Sequence, residues 1–583
     1  MWAKLTGPKL VVGLLLAAVL AVALACGGAE EAVPAAPAAQ VQPTPTFPPT
    51  VIPPAISTPE PAVAPAPVVA EGGKYGGHLR MAVHNETFPP KWDFSQTTTW
   101  VSLAQYGRHY SGLLQFSPRD GIEIWPDMAK SWEVSGDGLT YTFDIDERLK
   151  EWHDGTSFDV NHIIFAFNRW KSPPEGIIQP RVGAFRLIES MDKLDEHTLS
   201  ITLGEPFGDF IAEAANAWHK VIPQHILEAN NNNITSAALT IGTGPFMYEA
   251  SEEGVSVTSV RNPDYFRTDP DGNQYPYMDK VTTIKIPEKE SIIAALRAKQ
   301  LDAAKQVPGA VIAFQKIVED FPGEATFSLV PFVDIASIQL NNTAPPFDDI
   351  NARRAVFYGV NKSRIIEFLG AEQPVNPISW FSTLFPSKEE ILSLPGYNDA
   401  TRDQDVAKAA EFARMAGLEE FELVVPTFRV GDAELLTQDM EECCGIKVTI
   451  RPQDWTSMIA VVEGRRYDAA MGGTAPSYAG VIPVADIMYT PGGGRNGGWD
   501  APANWLAAWN EARTLQPGPD RDKQFAEMHR IMREEWVPTV PYYGISNYKF
   551  NWNYLHNLNV VAQEIFSNNK YEDHWLDSNA PTR

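Results

Sequence analysis

Short segments of this chain alternate apolar with polar residues, and others repeat apolar residues at helical spacing. In Leu139-Thr140-Tyr141-Thr142-Phe143-Asp144-Ile145 every second side chain is apolar, which predicts a strand with one buried face. Leu199, Ile201 and Leu203 repeat that period, as do Val255 and Val257. Gly76-Gly77 leads into Leu79-Arg80-Met81-Ala82-Val83, a glycine turn entering a further strand. Helices are predicted where Ile292, Ile293 and Leu296 share a face, over Asp405–Met415 with Gly417 as the stop, and around Phe525, Met528, Ile531 and Met532. Strands and helices interleave with no internal repeat. The expected class is therefore a mixed α/β body, not a solenoid, sandwich or bundle.

The first 73 residues follow neither period. Lys4 and Lys9 precede a charge-free run from Leu10 to Ala29, after which Glu30 and Glu31 appear. A basic end, an apolar stretch and small residues together read as a secretory signal over residues 1–25. Ala25-Cys26-Gly27 resembles a bacterial lipoprotein cleavage site, where Cys26 would become the lipidated N-terminus, although Ala23 stands where that pattern prefers leucine. The alternative is an uncleaved anchor, because the 20 residues Leu10–Ala29 can just span a bilayer. Both readings leave the lysines inside and the bulk of the chain outside. Residues 26–73 form a tether: 12 prolines between Pro34 and Pro67, with almost no charge, favour extended polyproline II. At about 3.1 Å per residue its upper reach is on the order of 140 Å.

Composition removes several function classes. With 44% hydrophobic and 21% charged residues in 583, the chain is globular. A net charge of -26 leaves no basic face for nucleic acid and repels anionic membranes. Three cysteines, Cys26, Cys443 and Cys444, are too few for a disulfide-built scaffold or a thiolate-rich zinc module. The sequence has no HExxH, GxSxG or GxxxxGK[ST], and its 11 histidines show no pair at metal-ligand spacing. No enzyme activity, metal or cofactor is expected. Pro491–Gly498 is glycine-rich without the Lys-Ser/Thr of a phosphate loop, and reads as a surface or cleft-rim loop. Cys443-Cys444, ahead of the helix stop Gly445, reads as two small packed hydrophobes in preference to a vicinal disulfide.

Ordered blocks then carry a resemblance. Pro126-Asp127-Met128-Ala129-Lys130-Ser131-Trp132-Glu133-Val134 is followed by Trp152-His153-Asp154-Gly155-Thr156 and Phe165-Ala166-Phe167-Asn168-Arg169. Ile222-Pro223-Gln224-His225, Gly242-Thr243-Gly244-Pro245-Phe246, Arg261-Asn262-Pro263-Asp264-Tyr265-Phe266, Pro346–Ala355, Gly445-Ile446-Lys447-Val448 and Tyr467-Asp468-Ala469-Ala470 continue in order. The set resembles the family 5 extracellular solute-binding proteins of ABC importers, the peptide/nickel group. The resemblance implies a two-lobed, hinge-closing α/β fold of the type II periplasmic-binding-protein kind, with an extra subdomain in the first lobe. Lobe I would cover residues 74–332, lobe II 333–538, and residues 539–583 would return to lobe I. The prolines of Val537-Pro538-Thr539-Val540-Pro541 suit a crossing between lobes. In the family the His153 block is a turn, so His153 with Asp154 reads as structural.

The resemblance also points to a site between the lobes. Asn85, Glu86 and Thr87 follow the first strand, at the end where open α/β sheets bind ligands. Trp380 and Phe381 sit in a loop that lines the pocket in relatives, and Trp455 opens a helix expected to face the cleft. Peptide-binding members carry Gly-Trp-x-x-Asp after the Tyr-Asp strand, the Asp capturing the peptide's amino terminus. Here the run is Gly472-Gly473-Thr474-Ala475-Pro476-Ser477-Tyr478, so Thr474 replaces the Trp and Ser477 the Asp. The expected protein is a monomeric lipoprotein on the outer face of the cytoplasmic membrane. It would capture a small solute, a peptide or an oligosaccharide, for an ABC permease and its nucleotide-binding subunits. A solute sensor signalling through a membrane partner is the competing class.

Overall fold

The computed structural model describes residues 74–83, 91–97, 100–177, 179, 183–370, 375–381, 386–474, 476–559, 561 and 570–582. Cys26, the tether, Asn85, Glu86 and Thr87 lie outside the described residues. Along the chain come β1 (His78–Val83), β2 (Leu114–Phe116), β3 (Ile124–Pro126), β4 (Ala129–Val134), β5 (Thr140–Ile145), β6 (Ile188–Lys193) and β7 (Thr198–Leu203). Next are β8 (Phe246–Glu252), β9 (Ser256–Arg261), β10 (Lys280–Lys285), β11 (Ala303–Lys305) and the 16-residue β12 (Ala325–Leu340). β13 (Val375–Asn376), β14 (Glu420–Pro426), β15 (Lys447–Gln453), β16 (Ala469–Thr474) and the 14-residue β17 (Thr539–Trp552) follow.

Eleven of these strands make one sheet in the order β15-β14-β16-β12-β17-β11-β1-β10-β9-β8, with β13 attached to β17. β12 and β17 lie antiparallel in its middle, from Ala325 opposite Trp552 to Gln339 opposite Thr539. Their register steps between Val330 and Asp334, and again between Ala336 and Ser337 opposite Pro541. A proline cannot donate to the ladder, and it is accommodated beside that irregularity, so β17 continues instead of ending. A second, antiparallel sheet has the order β4-β5-β7-β6.

The alternating segments fold as their period dictates. β5 and β7 each bury every second residue, including Tyr141, Phe143, Leu199 and Ile201. Val255 is the exception: β9 starts at Ser256, and Val255 belongs to the preceding turn, 40% exposed. The helix Lys289–Arg297 buries Ile292 and Leu296. Arg402–Ala416 and Val430–Cys444 both stop at a glycine in the left-handed region, Gly417 (φ 63°) and Gly445 (φ 66°), where a side chain would be strained.

Cys443 and Cys444 are bonded to each other, where two packed thiols were expected. Both are half-buried at the helix end, and the missing Cβ of Gly359 makes room for Cys443 Sγ. Among the described residues two large cores hold the body, beside smaller clusters. One lies under β1, β10, β11 and the end of β17, with Leu79, Val281, Leu296, Phe314 and Trp552. The larger runs continuously from the four-stranded sheet through Trp218 to Ile338, Leu423 and Trp505. Among the described residues no helix is long and apolar enough to cross a membrane.

Candidate functional site

β14 pairs in parallel with both β15 and β16, so the C-terminal ends of three strands open on one edge, the usual ligand edge of α/β sheets. β14 ends at Pro426, and the 3-10 turn Thr427–Arg429 leads into the helix Val430–Cys444. This turn drives Arg429 inward, leaving it 6% exposed. Its Nη1 donates to Gly472 O (2.9 Å) and to Tyr542 Oη (3.1 Å). Among the described residues Arg429 makes no ion pair, and Nε and Nη2 make no hydrogen bond. The nearest negative groups are Asp334 and Asp432. Burial raises the pKa of both, partly opposed by the Arg429 charge and, at Asp334, by Arg495. Tyr543 Oη also donates to Asp432 Oδ2 at 3.2 Å. Close approach of β12 explains the paired glycines of β16. A Cβ on Gly472 would lie 2.5 Å from Gln339 Nε2, and one on Gly473 2.9 Å from Ile335 O.

One exposed aromatic ring stands beside this guanidinium, and a second stands beside that ring. Phe428 is 68% exposed, and its ring centre is 5.8 Å from the Arg429 guanidinium carbon. Trp455 lies 6.0 Å from Phe428 at an interplanar angle of 40°. Asp454 fixes the start of the helix Trp455–Glu463 by accepting from Ser457 N at 3.0 Å. The indole packs half-buried on the cluster of Val424, Met458 and Val462.

A polar contact joins the four-stranded sheet to the helices Ala503–Thr514 and Pro519–Ile531. Gly208 N donates to Arg513 O at 2.8 Å, Arg513 pairs with Glu205 at 2.7 Å, and Arg521 pairs with Asp209. Tyr478, 2% exposed, stacks on Phe116 and donates to Asp209 Oδ2 at 3.4 Å. Glu213 accepts from Asn216 at 3.2 Å, and burial, aided by the charges of Asp486 and Asp209, pushes its pKa up to about 8. Burial also raises Asp486, against the pull of Arg186 and Arg513.

The residues expected at the site divide accordingly. Gly473 and Thr474 end β16 on the ligand edge, and Trp455 flanks it. Ser477 and Tyr478 are buried, Tyr478 at the contact with Asp209. Trp380 and Phe381 have no exposed surface. Trp380 spends its indole N–H on Thr539 O (2.8 Å) and packs against Phe357 and His529, so as folded here both residues fill core. Arg429 was missed, although a cation four residues after the apolar run Leu423-Val424-Val425, in the turn beyond Pro426, is a readable signal at a strand end. His153 is a neutral turn residue: Nε2 donates to Gly244 O (2.9 Å), Nδ1 accepts from Gly242 N (3.3 Å), and burial lowers its pKa to about 4. Asp154 pairs with His225 instead. The glycine-rich segment 491–498 is tied down through Asn496, which bonds Thr490 and Trp499. A pocket of about 310 Å³ between Trp92, Ser236, Glu252 and Val257 shares no wall with Arg429. No cluster of metal-ligating side chains occurs among the described residues.

The family model for bacterial extracellular solute-binding proteins, family 5 (middle part), matches residues 123–496, nearly two thirds of the chain. The chain belongs to this family. This family 5 protein is 26% identical over 506 residues to di/tripeptide-binding protein 1 of Pseudomonas aeruginosa, covering 78% of this chain and 87% of the relative. Among solved structures, Haemophilus influenzae OppA in complex with the peptide RPPGFSPFR superimposes with a TM-score of 0.73 at 18% identity, over 87% of this chain and 100% of that one. AgaA of A. tumefaciens R10 with agropinic acid gives a TM-score of 0.72 at 21% identity, over 86% and 99%. The fold is thus that of the family's two-lobed binding proteins, and the chain is a binding protein, not an enzyme.

Proposed function

We propose that this protein is the extracytoplasmic receptor of an ABC importer, which captures a peptide-like solute by its free carboxylate and hands it to a membrane permease. Residues 74–332 and 539–583 form lobe I, and residues 333–538 form lobe II. The register step after Val330 and the start of β17 at Thr539 support these boundaries as the hinge. Cys26 carries the lipid that holds the protein to the outer face of the cytoplasmic membrane. Cys26→Ser is expected to release it or leave an unprocessed precursor, and processed membrane-bound protein in that variant would refute the anchor.

Arg429 carries the peptide reading. A buried guanidinium with no ion-pair partner among the described residues is costly, and a solute carboxylate on Nε and Nη2 relieves that cost through charge-assisted hydrogen bonds. A neutral oligosaccharide would bring no charge-assisted acceptor to Nε and Nη2, which favours the peptide. The reading is tested by titrating the protein with a tripeptide and its C-terminal amide. Amidation, or Arg429→Gln, is expected to weaken binding by at least about tenfold. Equal affinities for acid and amide would overturn the assignment.

A further inference from the structure

An exposed phenylalanine is ordinary by itself. Phe428 differs from the others by its place. It is the most exposed large apolar side chain among the described residues, at 68%, and it immediately precedes Arg429 in the turn that closes β14. Two rings approach the guanidinium, Phe428 at 5.8 Å and Tyr543 at 5.6 Å, and Phe428 leads on to Trp455 at 6.0 Å. Tyr543 is buried, whereas Phe428 and Trp455 keep open surface on the ligand edge.

We propose that Phe428 and Trp455 form a subsite for an aromatic or bulky apolar side chain adjacent to the solute's carboxylate. The inference rests on the carboxylate reading of Arg429. A carboxylate on Nε and Nη2 is one bond from its α-carbon, which brings the side chain of that residue within reach of the Phe428 ring. The two rings are tilted by 40° with their centres 6.0 Å apart, so they touch along an edge and present a continuous apolar surface. A flat ring stacks on the open face of Phe428 and covers apolar surface that is otherwise wet. Trp455 is held by its helix and by the cluster beneath it, and so forms the fixed wall. Ser477, in the segment after β16, is buried and offers no charge to a solute amine. Recognition therefore concentrates on the C-terminal residue: its carboxylate at Arg429 and its side chain at Phe428 and Trp455.

Titration calorimetry with Gly-Gly-Phe, Gly-Gly-Ala and Gly-Gly-Phe-amide, on wild type, Phe428→Ala and Phe428→Tyr, separates the claims. Wild type is expected to prefer Gly-Gly-Phe over Gly-Gly-Ala by about tenfold or more. Phe428→Ala should shrink that ratio to about threefold or less, and Phe428→Tyr should keep it. Phe428 is mostly in water, so its truncation removes little core and the variant folds. Equal affinity of wild type for the two acids, or a ratio that survives Phe428→Ala, overturns the subsite. A lost preference in Phe428→Ala combined with an unaffected amide would refute the carboxylate reading while leaving the aromatic subsite standing. Binding of none of the three peptides overturns both.

Discussion

Gly208→Ala probes whether the contact beside the four-stranded sheet belongs to lobe closure. A Cβ at Gly208 would lie 2.0 Å from Leu515 O and 2.8 Å from Leu515 C. Both are backbone atoms, so no rotamer change relieves the clash, and the two segments must part by at least about 1 Å. Gly208 does not adopt a positive φ, so alanine adds no backbone strain of its own. Separation breaks the Gly208 N to Arg513 O bond of 2.8 Å and loosens the flanking Glu205–Arg513 and Asp209–Arg521 pairs. Overpacking at about 1–3 kcal/mol and a lost hydrogen bond at about 1 kcal/mol give about 2–4 kcal/mol against the closed contact. If the contact forms only on closure, solute affinity falls by about 30-fold or more, with little change in the melting temperature of the free protein. Calorimetry and small-angle scattering with saturating peptide measure the affinity and the compaction. Gly136→Ala, where an added Cβ meets nothing within 4 Å, is the matched control. A lower melting temperature with unchanged affinity would show a permanent fold contact and refute the closure argument.

Two further outcomes follow from charges. In this contact Glu213 is protonated up to about pH 8, whereas its ordinary value is 4.5. If the contact forms only on closure, closure takes up a proton between these values: it is fully supported below pH 4.5 and loses support as pH rises through about 8. Solute affinity should fall by up to about tenfold per pH unit across this window. Glu213→Gln should flatten the profile, and an identical profile in that variant would refute the assignment. Because Ser477 offers no charge, N-acetylating a peptide should change its affinity by less than about tenfold, or about 1.4 kcal/mol. A larger loss in calorimetry would mean that a carboxylate such as Asp486 holds the amine.

The period of Leu139–Ile145 and of Leu199–Leu203, and the glycine stops after Ala416 and Cys444, were legible in the chain because each depends only on near neighbours. Side-chain alternation and left-handed backbone are local properties of a strand and a helix end. The ordered motif blocks likewise carried the family. The chain alone could not say which side of a loop faces solvent. Trp380 was expected at a pocket wall, but its indole reaches Thr539, 159 residues away, and fills core. Arg429 went unnoticed because its importance comes from what surrounds it: Gly472 O from β16, Tyr542 Oη from β17, and the absence of an ion pair among the described residues. The exposure of Phe428 and the raised pKa of Glu213 are likewise set by segments distant in sequence. Burial and partnership are sums over all neighbours in space, so they exist only once β12 and β17 have brought the two ends of the sheet together.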